Sequence, residues 1–236
     1  MKALTIVVPV YNEVKNIERV TTELGKYMEK SVREIRILFV NDGSTDGSQE
    51  LIEKACAENK GFSFIEFCEN RGLTTAIKAG FDHVETPLAG YIDADLQTDP
   101  EDFDLLLEYA DEYEIVTGIR TGRKDSIVKK VSSLLANKIR RAFTHDGMDD
   151  TGCPLKVIHT DVARQIPMFK GLHRFLPAMV LLLQGKIKQV PVRHYPRMAG
   201  ESKFGLFNRL WGPLIDCFAY LWMKKKFIRY QIKRKS

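Results

Sequence analysis

Along the first half of the chain, apolar and polar positions switch between two periods. Leu4–Val10 is an unbroken apolar run rich in β-branched residues, the pattern of a strand buried on both faces. Beyond it, apolar residues fall at Val14, Ile17, Val20, Leu24 and Met28, a spacing that predicts a helix with one apolar stripe. The alternation then repeats. Strands are predicted over Ile35–Val40, Phe62–Phe67, Leu88–Ile92 and Glu114–Thr117. Helices are predicted from Asp46, as N-cap, to Glu58, over Leu73–His83, and over Pro100–Tyr109 with proline in the first turn. Strands alternating with helices in this way predict βαβ units: an α/β fold with a mostly parallel sheet and helices on both faces.

The second half is less regular. Ile127–Phe143 reads as an amphipathic helix whose basic face carries Lys129, Lys130, Lys138, Arg140 and Arg141. Phe175–Gln184 reads as a buried helix, Ile187–His194 as a strand, Arg197–Gly205 as a glycine-bearing loop and Leu206–Met223 as an amphipathic helix. With no internal repeat or low-complexity linker, the expectation is one catalytic domain, residues 1–205, and an amphipathic, basic C-terminal extension, residues 206–236.

Polar clusters interrupt the alternation at corresponding places. Tyr11-Asn12-Glu13 follows the first predicted strand, Asn41-Asp42-Gly43-Ser44 the second, Asn70-Arg71-Gly72 the third and Asp93-Ala94-Asp95 the fourth. All four stand at carboxyl ends of strands, the edge where open α/β sheets bind ligands. If the chain stays extended beyond the fourth strand, the period of two sends the Asp93 and Asp95 carboxylates to one face, and Gln97 with them. Paired carboxylates suit Mg²⁺ or Mn²⁺, which share such sites with substrate phosphates. A cation there would neutralise charge growing on a diphosphate leaving group. Asp42 reads as an acceptor for a base or ribose, although a turn explains it equally well. Neither GxGxxG nor the Walker A pattern occurs, so a Rossmann dehydrogenase and a P-loop NTPase are unsupported. The five histidines lack metal-ligand spacing, and no serine or cysteine stands in a nucleophile motif.

Charge changes the picture only at the tail. The net charge is +5, but residues 1–200 hold 27 Lys/Arg against 29 Asp/Glu, and residues 201–236 hold nine against two. Lys224-Lys225-Lys226, Arg229 and Lys233-Arg234-Lys235 follow a stretch containing Trp211, Phe218, Tyr220, Leu221 and Trp222. A basic cluster beside an aromatic amphipathic helix suits an anionic membrane surface. Pairing with another subunit, as a homo-oligomer, is the alternative; a nucleic-acid partner is not expected, since no recognition module is present. No secretory leader and no apolar run of about 20 residues is evident. Cys56, Cys68, Cys153 and Cys217 form no CxxC pair, which suits a reducing compartment. The expected location is the cytoplasm, peripheral on the cytoplasmic face of the membrane.

Taken in order, Val8-Pro9-Val10-Tyr11-Asn12-Glu13, Asn41-Asp42-Gly43-Ser44-Thr45-Asp46, Asn70-Arg71-Gly72 and Asp93-Ala94-Asp95-Leu96-Gln97 resemble the motif series of glycosyltransferase family two. Asp149-Asp150-Thr151-Gly152-Cys153 and Arg197-Met198-Ala199-Gly200-Glu201-Ser202-Lys203 extend the match, which covers roughly residues 4 to 210. Within the family the chain is most similar to the dolichol-phosphate mannose synthase group and its bacterial polyprenyl-phosphate relatives. The resemblance implies the glycosyltransferase A (Rossmann-like) fold, a UDP- or GDP-sugar donor, inversion at the anomeric carbon and a polyprenyl-phosphate acceptor. A glycan, lipid or small-molecule hydroxyl is the alternative acceptor.

Carried onto this chain, the resemblance assigns Pro9, Tyr11, Glu13 and Asp42 to the nucleoside. Asp93, Ala94 and Asp95 fall to the donor, and Asp93, Asp95 and Gln97 to the metal. Arg120, Arg197 and Lys203 fall to phosphates, and Asp150 to the acceptor or a basic partner. Two positions depart from the pattern: Asn41 stands where the family often has an acid, and Asp99 where it often has proline. A nucleotidyltransferase would need a glycine-rich loop that Pro9–Glu13 does not supply. A non-catalytic binding module would bind donor without consuming it.

Overall fold

The computed structural model describes residues 1–121, 137–196, 211–228 and 234. β1 (Leu4–Val10) is buried along its whole length and lies between β2 (Ile35–Asn41) and β4 (Leu88–Tyr91), parallel to both. β3 (Phe62–Glu66) continues the sheet beyond β2, again in parallel. On the other flank stand β6 (Lys156–His159), β5 (Ile115–Arg120) and β7 (Ile187–Val192), giving the order β3-β2-β1-β4-β6-β5-β7. β6 runs antiparallel to β4 and β5; the remaining pairings are parallel.

The unbroken apolar run of β1 follows from its two neighbourhoods. Leu4, Ile6, Val8 and Val10 enter one core with Ile17, Val20 and Leu24 of α1 (Val14–Lys30). Val7 enters the other with Ile77 and Phe81 of α3 (Leu73–His83) and Met179 of α7 (Leu176–Leu182). Alternate side chains of one strand therefore meet helices on opposite faces, and the one polar residue of β1, Thr5, is buried with its hydroxyl 2.8 Å from Thr86 Oγ1.

α2 (Ser48–Glu58) packs beside α1, and α4 (Phe103–Leu107) follows a 3₁₀ turn at Pro100–Asp102. The helix predicted as continuous over Pro100–Tyr109 is thus split, with tight i→i−3 bonds from Tyr109 to Leu106 and from Ala110 to Leu107 closing it. The predicted cap Asp46 is displaced by one: Gly47, with φ 90°, occupies the N-cap of α2. Asp46 still accepts from Ser48 N at 3.1 Å, and also from Val14 N at the start of α1 at 3.0 Å.

Residues 137–144 form α5; residues 127–136 of the predicted basic helix lie outside the described residues, Lys129 and Lys130 among them. α6 (Thr160–Gln165), like β6, has no counterpart in the sequence reading. α8 (Trp211–Lys226) closes the second core through Cys217 and Tyr220, the latter stacked on Phe175 at 6.1 Å. Among the described residues no helix is long and apolar enough to cross a membrane.

Candidate active site

The loops at the carboxyl ends of β1 and β2 are tied into one platform. Asn12, at φ 51°, donates its N–H to Ser44 Oγ at 2.9 Å and accepts from Thr45 N at 2.8 Å. Glu13 N donates to Ser48 Oγ at 3.0 Å. Burial opposes ionisation of Asp46, but the bonds from Ser48 and Val14 prevail and hold its carboxyl below the usual range. Asn41, where the family often has an acid, is fully buried and bonds Gln49 Oε1 at 2.8 Å and Ser44 N at 3.0 Å.

Asp42 joins the third loop to this platform. It accepts from Arg71 N at 2.6 Å, Gly72 N at 2.8 Å and Asn70 Nδ2 at 2.8 Å. The residue expected to receive the nucleoside therefore first shapes the turn entering α3. A carboxylate offers about four lone-pair directions, so it retains accepting capacity. The loops approach closely at Gly43: a Cβ there would lie 2.5 Å from the Glu69 carbonyl carbon, and φ is +66°. Only glycine satisfies both conditions.

The Asp93–Asp95 segment departs from the sequence expectation. β4 stops at Tyr91, and a turn replaces the extended chain, with Leu96 N bonded to Asp93 O at 3.1 Å and Leu96 at φ 44°. Pro9 supplies a physical reason. Val7 O accepts from Ile92 N, so Pro9, two residues on, faces the β4 side without an N–H to continue the ladder. The carboxylates are thus juxtaposed by a turn and not by strand periodicity. Tyr91 Oη donates to Asp93 Oδ1 at 2.6 Å, and Gln97 N donates to Asp95 Oδ1 at 3.3 Å. Burial, and after it the neighbouring Asp95 charge, push the Asp93 carboxyl up to about 6.

Gln97 does not join a common strand face with the two acids. Its amide nitrogen donates to Tyr195 O at 3.3 Å, while Tyr195 N donates to Gln97 O at 2.8 Å. Arg193 reinforces the same junction, its Nε at 2.8 Å and backbone N at 2.7 Å from the buried Asp102 carboxylate. Asp99, the other departure from the family pattern, accepts from Glu101 N at 3.0 Å and pairs with Arg193 at 3.1 Å.

Arg120, at the end of β5, is gripped by Asp150. Nε and Nη2 each lie 2.8 Å from a different Asp150 oxygen, and Arg120 N adds a third bond at 3.2 Å. Burial works against the guanidinium charge, and the Asp150 bonds more than restore it. Gly152 makes room: a Cβ there would lie 2.9 Å from Arg120 Nη2.

Lys156 belongs to this site and was missed from the sequence. β6 pairs it with Tyr91 on one side and Thr117 on the other, and its residue exposure is 2%. Its ammonium donates to the Cys153 and Thr151 carbonyls and lies 5.6 Å from the centre of the Tyr91 ring. Burial lowers its pKa, against the attraction of Asp150 and Asp93. The available signal was a lysine inside the apolar run Leu155–Ile158.

Pro9 is buried in β1, Tyr11 and Glu13 line the platform half-buried, and Ala94 is buried in the turn. Arg197 and Lys203 lie outside the described residues. Among the described residues no cluster of three or more His, Cys, Asp or Glu is arranged to hold a metal. A cation at Asp93 and Asp95 would draw further ligands from substrate.

Three solved structures share this architecture. A mannosyltransferase from Pyrobaculum calidifontis, in complex with GDP-Man and Mn²⁺, superposes with a TM-score of 0.70 at 16% identity, over 92% of this chain and 63% of its own. This chain thus spans less than two thirds of that protein. Glucosyl-3-phosphoglycerate synthase from Mycobacterium tuberculosis gives 0.73 at 14% identity, covering 97% and 81%. Mannosyl-3-phosphoglycerate synthase from Rubrobacter xylanophilus gives 0.70 at 16%, covering 99% and 77%. At these identities the likeness establishes the glycosyltransferase A fold. A sequence profile described as "Glycosyl transferase family 2" matches residues 5–166, from β1 through the four edge clusters, the Arg120–Asp150 pair and Lys156 to α6. With that profile spanning more than half of it, the chain belongs to glycosyl transferase family 2.

Proposed function

We propose that the protein transfers a hexose-type sugar from a UDP- or GDP-sugar to a polyprenyl phosphate, with inversion at the anomeric carbon. One observation carries the donor half. Asp93 and Asp95 stand two residues apart in one turn at the carboxyl edge, where burial and the neighbouring Asp95 charge push the Asp93 carboxyl up. The donor set, two hard oxygens and no nitrogen or sulfur ligand, fits Mg²⁺ or Mn²⁺ completed by diphosphate oxygens. When bound, the cation neutralises charge on the departing nucleoside diphosphate. The Mn²⁺ in the solved structures of similar fold supports the same choice.

The chain's own residues do the rest. Pro9, Tyr11, Glu13 and Asp42 form the nucleoside platform, and Ala94 carries the turn against the donor. Arg120, held flat by Asp150, presents a fixed positive charge beside the diphosphate; a pre-oriented donor of this kind costs no reorganisation during reaction. Arg197 and Lys203 contribute further charge, and Gln97 serves the metal turn from its junction with Tyr195. Residues 1–205 are the catalytic domain; residues 206–236 are an extension that meets an anionic membrane surface, placing the enzyme peripherally on the cytoplasmic face.

The acceptor half rests on Asp150. Both its oxygens are engaged by Arg120, and a base that took up a proton would lose that pair. An acceptor already ionised at neutral pH avoids the conflict, and a phosphate monoester, with a second pKa of about 6, is such an acceptor. The second reading is a hydroxyl acceptor on a small phosphorylated acid, favoured by the phosphoglycerate-bound structures of similar fold.

A single screen separates the two. The protein is incubated with Mn²⁺ and radiolabelled UDP-glucose or GDP-mannose, with either membrane extract or 3-phosphoglycerate. Label passing into organic solvent supports polyprenyl phosphate; label on a water-soluble anion supports the second reading. Transfer undiminished in both Asp93→Ala and Asp95→Ala would overturn the donor chemistry.

A further inference from the structure

The turn bearing Asp93 and Asp95 is held from outside itself. Beyond Ile92 it has no strand neighbour. Leu96 sits at φ 44°, a conformation that disfavours an L-residue, and two acids stand two residues apart in the turn. Left alone, such a segment would relax toward a more open form. Two contacts oppose that. The Leu96 side chain is buried in the first core, and Arg19, one and a half turns into α1, donates from Nη2 to the Asp95 carbonyl oxygen. Arg19 Nε is buried with no hydrogen-bond partner among the described residues. An arginine kept in place with one N–H unsatisfied indicates that what its other nitrogens hold matters.

We infer that Arg19 is a positioning residue for the metal turn: through the Asp95 carbonyl it fixes the spacing and direction of the Asp93 and Asp95 carboxylates. It touches neither donor nor acceptor. The link in the chain of cause is mechanical, from a helix rigidly packed on β1 to a loop freed from the sheet by Pro9. The inference rests on the reading that these two acids bind a divalent cation.

Mn²⁺ alone, titrated into the full chain and followed by the paramagnetic resonance of the free ion, tests it without any turnover. Residues behind metal ligands typically change affinity 10- to 100-fold. Arg19→Met is therefore expected to weaken Mn²⁺ binding about tenfold or more while unfolding cooperatively like the parent. Arg19→Lys, which retains a donor, is expected to recover most of the affinity. Parent-like binding by Arg19→Met, or equal loss in both variants, overturns the inference. Amide exchange in the unsubstituted chain is a check that needs no variant: slow exchange at residues 95–97 is expected, and exchange at the rate of an unstructured peptide contradicts it. Failure of the unsubstituted chain to bind Mn²⁺ both alone and with UDP or GDP present would overturn the functional reading as well.

Discussion

Lys156 ends where solvent does not reach, and among the described residues no carboxylate forms a hydrogen bond to it. Two carbonyls of the 151–153 turn and the face of Tyr91 surround its ammonium. Tyr91 in turn holds Asp93. One buried lysine thus ties the turn that follows Asp150 to the side chain orienting Asp93, a proposed metal ligand. Replacing a buried charge by an apolar residue of similar volume is often neutral or stabilising. Lys156→Met should therefore keep or raise the melting temperature yet lower kcat/KM by about 10- to 100-fold, a loss comparable to removing groups behind metal ligands. Thermal unfolding and steady-state kinetics on the same sample check the split; unchanged kinetics would reduce Lys156 to a packing residue. Asp150→Asn breaks a largely buried ion pair from one side, at a cost of about 3 kcal/mol. If Asp150 acts as proposed, by holding Arg120, the resulting rate loss should be the same at every pH above 6. A loss that disappears as pH rises past the acceptor's pKa would instead mark Asp150 as a base.

At the scale of elements, α8 has two different faces. Cys217 and Tyr220 point into the second core, whereas Ile215, Phe218 and Trp222 are 66%, 58% and 66% exposed. These three recur at i, i+3 and i+7, so they form one stripe, and Lys224, Lys225 and Lys226 continue it at the C-terminal end. Each basic residue near an anionic bilayer contributes about 1 kcal/mol, and the apolar stripe adds its own burial. Co-sedimentation with phosphatidylserine-containing vesicles is expected for the full chain and should fall with added salt. Trp222→Glu should abolish most of it without lowering thermal stability, because that side chain lies outside the core. Equal pelleting of parent and variant would remove the stripe from the membrane argument. β6 shows the opposite relation between element and site. It is only four residues long, yet its antiparallel insertion between β4 and β5 places Lys156 beside Tyr91.

For the molecule as a whole, a histidine on the α3 and α7 side of the sheet sets a response to acid. His173, part-buried beside the core on that side, has its Nδ1 2.7 Å from Thr74 Oγ1 and its pKa lowered to about 3, first by burial and then by Arg174 and Lys156. Its unfolded value is about 6.5. Between these values the unfolded chain binds a proton that the folded chain refuses. Stability is therefore present in full above pH 6.5 and is lost as pH falls toward 3. A single such group gives about 1.4 kcal/mol per pH unit within that window. Asp93, with its carboxyl pushed up to about 6, gives an opposite slope below that pH, so the His173 contribution is read as a difference. In urea titrations from pH 7.5 to 5, the parent should lose stability relative to His173→Gln with this slope. Parallel pH profiles for parent and His173→Gln would contradict an imidazole kept neutral by the fold.

The sequence by itself determined the parallel half of the sheet, the helices that cover it and the edge on which chemistry gathers. Those features are written in local periodicity: an unbroken apolar run marks β1, a 3.6-residue stripe marks α1, and turn residues mark the strand ends. Tertiary structure alone decided how the side chains at that edge are used. Asp42 turned out to organise Asn70, Arg71 and Gly72, residues about 30 positions away. The Asp93–Asp95 pair was legible as a motif, but its turn was not, because the reason lies in the missing N–H of Pro9 on a neighbouring strand. Arg19 and Lys156 reach the site from helix α1 and strand β6, at separations of 76 residues from Asp95 and 65 from Tyr91. No period along the chain encodes such a distance; only packing brings those charges to the same corner.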